Sequence, residues 1–146
     1  MRYLVLIIFF SFGVIGCNQK QNSKTKQTAT QALNTSSSKV FFKNISNGDT
    51  LESPFSIEMG IVGMKIKPAG PLEAGTGHHH LIIDKGFMNY GEIIPMDSNH
   101  LHYGKGDSIA TISLPSGDHT LTLQFANGVH MSYGEQFSNT INIYVK

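Results

Sequence analysis

From Lys39 to the end of the chain, apolar residues recur at every second position, in short runs broken by glycine, proline and asparagine. Phe55, Ile57, Met59 and Ile61 alternate with Ser56, Glu58 and Gly60. Val62, Met64 and Ile66 continue the pattern up to Pro68. His119, Leu121, Leu123 and Phe125 alternate with Thr120, Thr122 and Gln124, and Ile141, Ile143 and Val145 close the chain. Successive side chains of a strand point to opposite faces, so a period of two predicts strands with one buried face. Lys39–Ile45 leads into a turn at Asn47-Gly48-Asp49, and Ile109–Leu114 stops at Pro115-Ser116-Gly117. His79–Asp84 differs, because Leu81, Ile82 and Ile83 are consecutive. It reads as a central strand buried on both sides. No window carries a helix-period apolar face of useful length. Roughly seven strands in a domain of about a hundred residues predict an all-β, immunoglobulin-like sandwich. A small β-barrel is the alternative.

The start of the chain is of another kind. Met1-Arg2 is followed by an almost wholly apolar run, Tyr3–Val14, and then by Ile15-Gly16-Cys17. The run has the length of a signal-peptide core and is short for a permanent membrane span. Gly16 supplies the small residue that a signal peptidase needs beside its cut. Cys17 is the sole cysteine of the 146 residues, and it stands where a bacterial lipobox puts it. Residues 1–16 are therefore expected to be a lipoprotein signal peptide, with an ordinary secretory signal as the alternative. A lipidated cysteine holds no free thiol, which excludes thiol catalysis, thiolate ligands and disulfides from the mature protein. Residues 17–38 are rich in Gln, Asn, Ser, Thr and Lys and cannot bury enough apolar surface to offset ordering entropy. They read as the lipidated cysteine and a flexible tether with a reach of about 25 Å. Residues 39–146 read as one β domain. The expected location is the cell envelope, facing the periplasm and held to the membrane through Cys17. Asn18 is not acidic, which favours the outer membrane.

With a formal net charge of +1 and 14% charged residues, the chain has no basic stripe interleaved with aromatics. Nucleic acid is therefore not expected as a partner.

The chemistry concentrates in histidine. All 7 lie in the second half of the chain, as His78-His79-His80, His100-Leu101-His102, His119 and His130. Neutral imidazole is the commonest metal ligand in proteins. On an extended segment His78 and His80 share one face and His79 takes the other, and His100 and His102 likewise share a face. His119 has the parity of Leu121 and Leu123, which puts it on the core side where its strand begins. His130 lies in a loop-like stretch beside Met131. Three consecutive imidazoles leading into a buried strand are costly to bury without partners. The expected metal ligands are His80, His100, His102 and His119, with His78 and His130 as alternates. Copper is the first candidate and zinc the next. No catalytic residue is singled out. The carboxylates are scattered, no nucleophile elbow occurs, and neither Gly75-Thr76-Gly77 nor Gly104-Lys105-Gly106 opens a helix that could cradle phosphate.

Several of these segments, taken in order, carry a resemblance. Pro68-Ala69-Gly70, Gly75–Asp84 (GTGHHHLIID), Ile94-Pro95, His100–Gly106 (HLHYGKG) and Pro115–Leu121 (PSGDHTL) resemble the bacterial domain-of-unknown-function family 4399. The resemblance spans Val40 to Val145. Tyr103 stands where the family usually has Phe, and Asp107 where Gln is common. The family pattern often ends in two spaced histidines. Only His130 is evident here, with Tyr133 near the second position. The resemblance implies an exported β domain with a histidine-centred feature and supplies no activity.

Three functions follow from these readings. One is a membrane-anchored metal-binding lipoprotein. The second is a structural or protein-interaction module whose histidines form a hydrogen-bond network. The third is an enzyme, which would need an open coordination position and a substrate pocket.

Overall fold

Alternating patterns of this kind leave each strand with one apolar face, and two sheets bury those faces against each other. A computed structural model describes residues 39–146. The signal segment, Cys17 and the tether fall outside the described residues. The described residues form nine strands: β1 Lys39–Phe42, β2 Thr50–Leu51, β3 Phe55–Val62, β4 Lys65–Ile66, β5 Thr76–Ile83, β6 His100–His102, β7 Ile109–Ile112, β8 Gly117–Ala126 and β9 Ser138–Val145. The only helical element among the described residues is a single 3-10 turn, Glu135–Phe137. The expected count of seven is exceeded by β2 and β6, strands of two and three residues, while the Val62–Ile66 run is cut down to the two residues of β4. Segments so short carry no periodicity of their own.

One sheet has the order β1-β3-β7. The other runs β2-β9-β8-β5-β4, with β6 also pairing with β5. Val40, Phe42, Ile57, Met59 and Ile112 of the first sheet meet Leu81, Ile83, Leu121, Leu123, Phe125, Ile143 and Val145 of the second in one core. The domain is therefore an all-β sandwich. Most pairings are antiparallel, and β2–β9 and β4–β5 are parallel.

β5 is the strand that positions everything else. It pairs with β8 over His78–Ile83 on one side and with β4 and then β6 on the other. All eight of its residues are buried, as its apolar run predicts. Its odd-numbered residues Leu81 and Ile83 enter the sandwich core, and its even-numbered residues face the opposite way. Connecting segments fold over that outer face. The backbone N–H of Met88 donates to Gln124 Oε1, the Ser132 hydroxyl donates to the Met88 carbonyl, and Ile94 N–H donates to the His130 carbonyl. The strand ends at Asp84, which takes a positive φ of 57°. Its Oδ1 accepts the Thr120 N–H at 3.0 Å.

Leu123 is fully buried at the centre of β8, so Leu123→Ala should cost about 2–5 kcal/mol. Chemical denaturation measures this. A loss below about 1 kcal/mol would mean that this face of β8 is not the core.

Candidate metal centre

β5 starts earlier than its apolar run, at Thr76, so the whole histidine triplet lies on the strand. His78 sits opposite Ala126 of β8 and His80 opposite Gln124, both on the outer face. His79 points inward and packs edge-on against Phe125, with ring centroids 5.1 Å apart. Across β5 in the other direction, antiparallel pairing sets His102 of β6 beside His80. The His102 ring lies over Gly104. A Cβ on that glycine would overlap the Cε1 and Nε2 atoms of His102, so the site needs glycine at this position.

The fourth imidazole comes from the loop that follows β8. Asn127 staples this loop: its Oδ1 accepts the N–H groups of Val129 and Met131, and its carbonyl accepts that of His130. The tight turn holds His130 at a φ of 66° and swings its ring back over the outer face of β5.

Four imidazoles thereby gather, their Nε2 atoms in a chain of close contacts that runs His80, His78, His102, His130. His78 Nε2 lies 3.0 Å from His80 Nε2 and 3.2 Å from His102 Nε2, and His102 Nε2 lies 3.1 Å from His130 Nε2. One ring nitrogen from each of His78, His80 and His102 lies within 4.8 Å of the others, and His130 stands outside that trio, touching it through His102. A neutral imidazole nitrogen offers either one hydrogen or one lone pair. His78 Nε2 and His102 Nε2 each face two other nitrogens, so hydrogen bonds alone satisfy this arrangement poorly. The Nδ1 atoms of His78 and His80 are buried without a partner, as are both ring nitrogens of His79.

Burial lowers the pKa of His78 and His79 to about 4 and that of His80 to about 2. Repulsion from neighbouring imidazoles adds to the effect, and Lys43 contributes at His79. His102 is lowered for the same two reasons, burial first and His130 second. At neutral pH these rings are uncharged and keep their lone pairs.

The structure divides the expected ligands. His80 and His102 meet, and the two alternates, His78 and His130, complete the group. His100 and His119 do not join it. His100 lies opposite Ile82, one pleat repeat, or about 6.6 Å, along β6 from His102. Its Nδ1–H donates to Asp97 Oδ1 at 2.7 Å, and this contact lowers the Asp97 pKa. His119 has the core-side parity read from its strand, and that parity excludes it, because the cluster occupies the opposite face. Its Nδ1 lies 3.0 and 3.2 Å from the Asp84 carboxylate oxygens, and its Nε2 lies 3.0 Å from the Pro115 carbonyl.

The lowered pKa values have a consequence for stability. Between about pH 6.5 and about pH 4 the unfolded chain takes up protons on these histidines and the folded chain does not. The metal-free domain should therefore lose stability as the pH falls through that window. Thermal unfolding in chelator from pH 8 to pH 4.5 tests this, and a melting temperature that stays level below pH 6.5 would show that the rings accept protons without cost.

The motifs that carried the family resemblance are now placed: GTGHHHLIID supplies β5, HLHYGKG supplies β6 and the Gly104 turn, and PSGDHTL begins β8. No curated protein and no solved structure matches the chain. Residues 57–146 match the family model described as Domain of unknown function (DUF4399), and the chain belongs to that family.

Proposed function

We propose that this protein is a lipoprotein of the cell envelope, anchored through Cys17, whose β domain binds a transition-metal ion, copper or zinc, through His78, His80, His102 and His130. The observation that carries the reading is the gathering of ring nitrogens from His78, His80 and His102, with His130 against His102, in a set of contacts where two nitrogens each face two others. A nitrogen that faces two others can satisfy only one of them by a hydrogen bond, and a cation shared by the Nε2 lone pairs removes that conflict. Burial keeps the rings neutral, which is the form that coordinates. The competing reading, a hydrogen-bonded histidine network in an interaction module, has support at His100 and His119, each of which faces a carboxylate.

Elemental analysis of untagged protein should find one copper or zinc ion per chain. His102→Ala should weaken binding at least tenfold, about 1.4 kcal/mol. Gly104→Ala should do the same by displacing the His102 ring, and His119→Ala should leave affinity unchanged. Isothermal titration of the three variants decides this. Absence of stoichiometric metal in the wild type would favour the network reading.

The anchor is tested separately. Cys17→Ser should abolish incorporation of a fatty-acid analogue in labelled cells, and equal label in mutant and wild type would end the lipoprotein reading.

A further inference from the structure

The relative placement of the four rings says more than that a cation fits. A tetrahedral ion bound about 2.0–2.1 Å from each nitrogen holds the nitrogens about 3.3 Å apart and all six ring-centroid pairs near 5 Å. A square-planar ion sets two opposite pairs, which share no ring, at about 6.4 Å and the remaining four at about 4.5 Å. The observed centroid separations are 4.9 Å for His78–His80, 5.0 Å for His78–His102, 5.2 Å for His78–His130, 5.0 Å for His80–His102, 5.9 Å for His80–His130 and 4.7 Å for His102–His130. Only His80–His130 is long, in keeping with His130 standing outside the trio of His78, His80 and His102, so that its ring closes the site by moving toward that trio. Its complement, His78–His102, is 5.0 Å with the nitrogens 3.2 Å apart, so these cannot be the two diagonals of a square. The other two ways of choosing diagonals fail as well, because each needs two long pairs among separations of 5.2 Å or less.

The backbone at His130 is an independent observation. Its φ of 66° is a conformation that favours glycine, and a residue with a side chain adopts it only under strain. The turn stapled by Asn127 thus holds in a strained conformation the one ring that supplies the fourth corner. Strain of this kind collects where a side chain must be aimed.

We infer that the cluster is a closed, four-imidazole tetrahedral site that selects zinc over square-planar cupric ion, with His130 as the ligand that closes it. The inference rests on the metal-binding reading above. All four donors are imidazole nitrogens, and the only cysteine of the chain is Cys17, so the soft sulfur set that selects cuprous ion is not formed by thiolate. Four protein donors fill the tetrahedron and leave no position for a water nucleophile. The site holds a metal and does not use it for hydrolysis.

Cobalt(II) is the probe, because its visible absorption is intense in four-coordinate tetrahedral sites and weak in six-coordinate ones. Untagged full-length protein in detergent should bind one cobalt with the intense spectrum, displaced by one equivalent of zinc. Neither azide nor free imidazole should change that spectrum. His130→Gly suits the positive φ and leaves a ring-sized gap. It should bind cobalt at least tenfold more weakly, respond to azide, and regain the wild-type spectrum with added imidazole. A weak six-coordinate spectrum in the wild type, or a wild-type response to azide equal to that of His130→Gly, would overturn the closed tetrahedral site while leaving metal binding intact. Failure to bind cobalt, zinc or copper at all would remove the metal-binding reading and this inference with it.

Discussion

The pairing of β5 with β8 is the constraint on which the rest of the structure depends. With Leu81 opposite Leu123 and His79 opposite Phe125, the odd-numbered positions of β5 fall into the sandwich core. A slip of one residue would exchange the faces. His78 and His80 would then enter the apolar core, and Leu81 would be turned toward the loops. Five buried apolar neighbours on β5 and β8 hold the register: Leu81, Ile83, Leu121, Leu123 and Phe125. The histidine cluster therefore takes its geometry from hydrophobic packing on the other side of the same strand.

The arrangement is expensive, and its costs fall in two different places. His79 lies in the core with both ring nitrogens unpartnered. Nothing in the structure offsets its burial beyond the edge-on contact with Phe125 and dispersion from its neighbours. The outer face carries the other cost, four imidazoles drawn to one point with the Nδ1 atoms of His78 and His80 unpaired. His100 and His119 differ from both, because each finds a carboxylate: Asp97 in the turn before β6, and Asp84 at the end of β5. Of seven histidines, two are thus satisfied within the protein and four converge on each other.

Fold class was legible because it rests on local alternation. The sandwich faces of β3, β8 and β9 can be read from parity alone, and so can the common face of His78 and His80. What parity cannot supply is register. His100 and His102 share a face, yet only pairing across β5 reveals that His102 sits beside His80 while His100 sits beside Ile82. Parity places His119 on the core face of its strand, and the cluster lies on the other face, so parity alone does not bring the two together. His130 has no strand parity, since its direction comes from a turn. The signal that could have raised it above an alternate is Asn127-Gly128, a turn pair directly after a ten-residue strand, which returns the chain over the face it has just left. Gly104 begins a turn after β6. Its second role, making room for the His102 ring, appears only when the ring is placed.

Burial and metal binding are coupled through the proton. An imidazole in water near neutral pH spends part of its time protonated, and a metal must displace that proton. Within the cluster, desolvation and mutual repulsion push protonation of His78 and His80 well below neutrality. A cation approaching the four Nε2 atoms then meets lone pairs and releases few protons. The same desolvation that makes the cluster a burden on the metal-free fold prepares it for a ligand. Because binding to the folded state alone raises stability, the strain at His130, the crowding of the Nε2 atoms and the tight packing over Gly104 are costs that a bound ion would offset together.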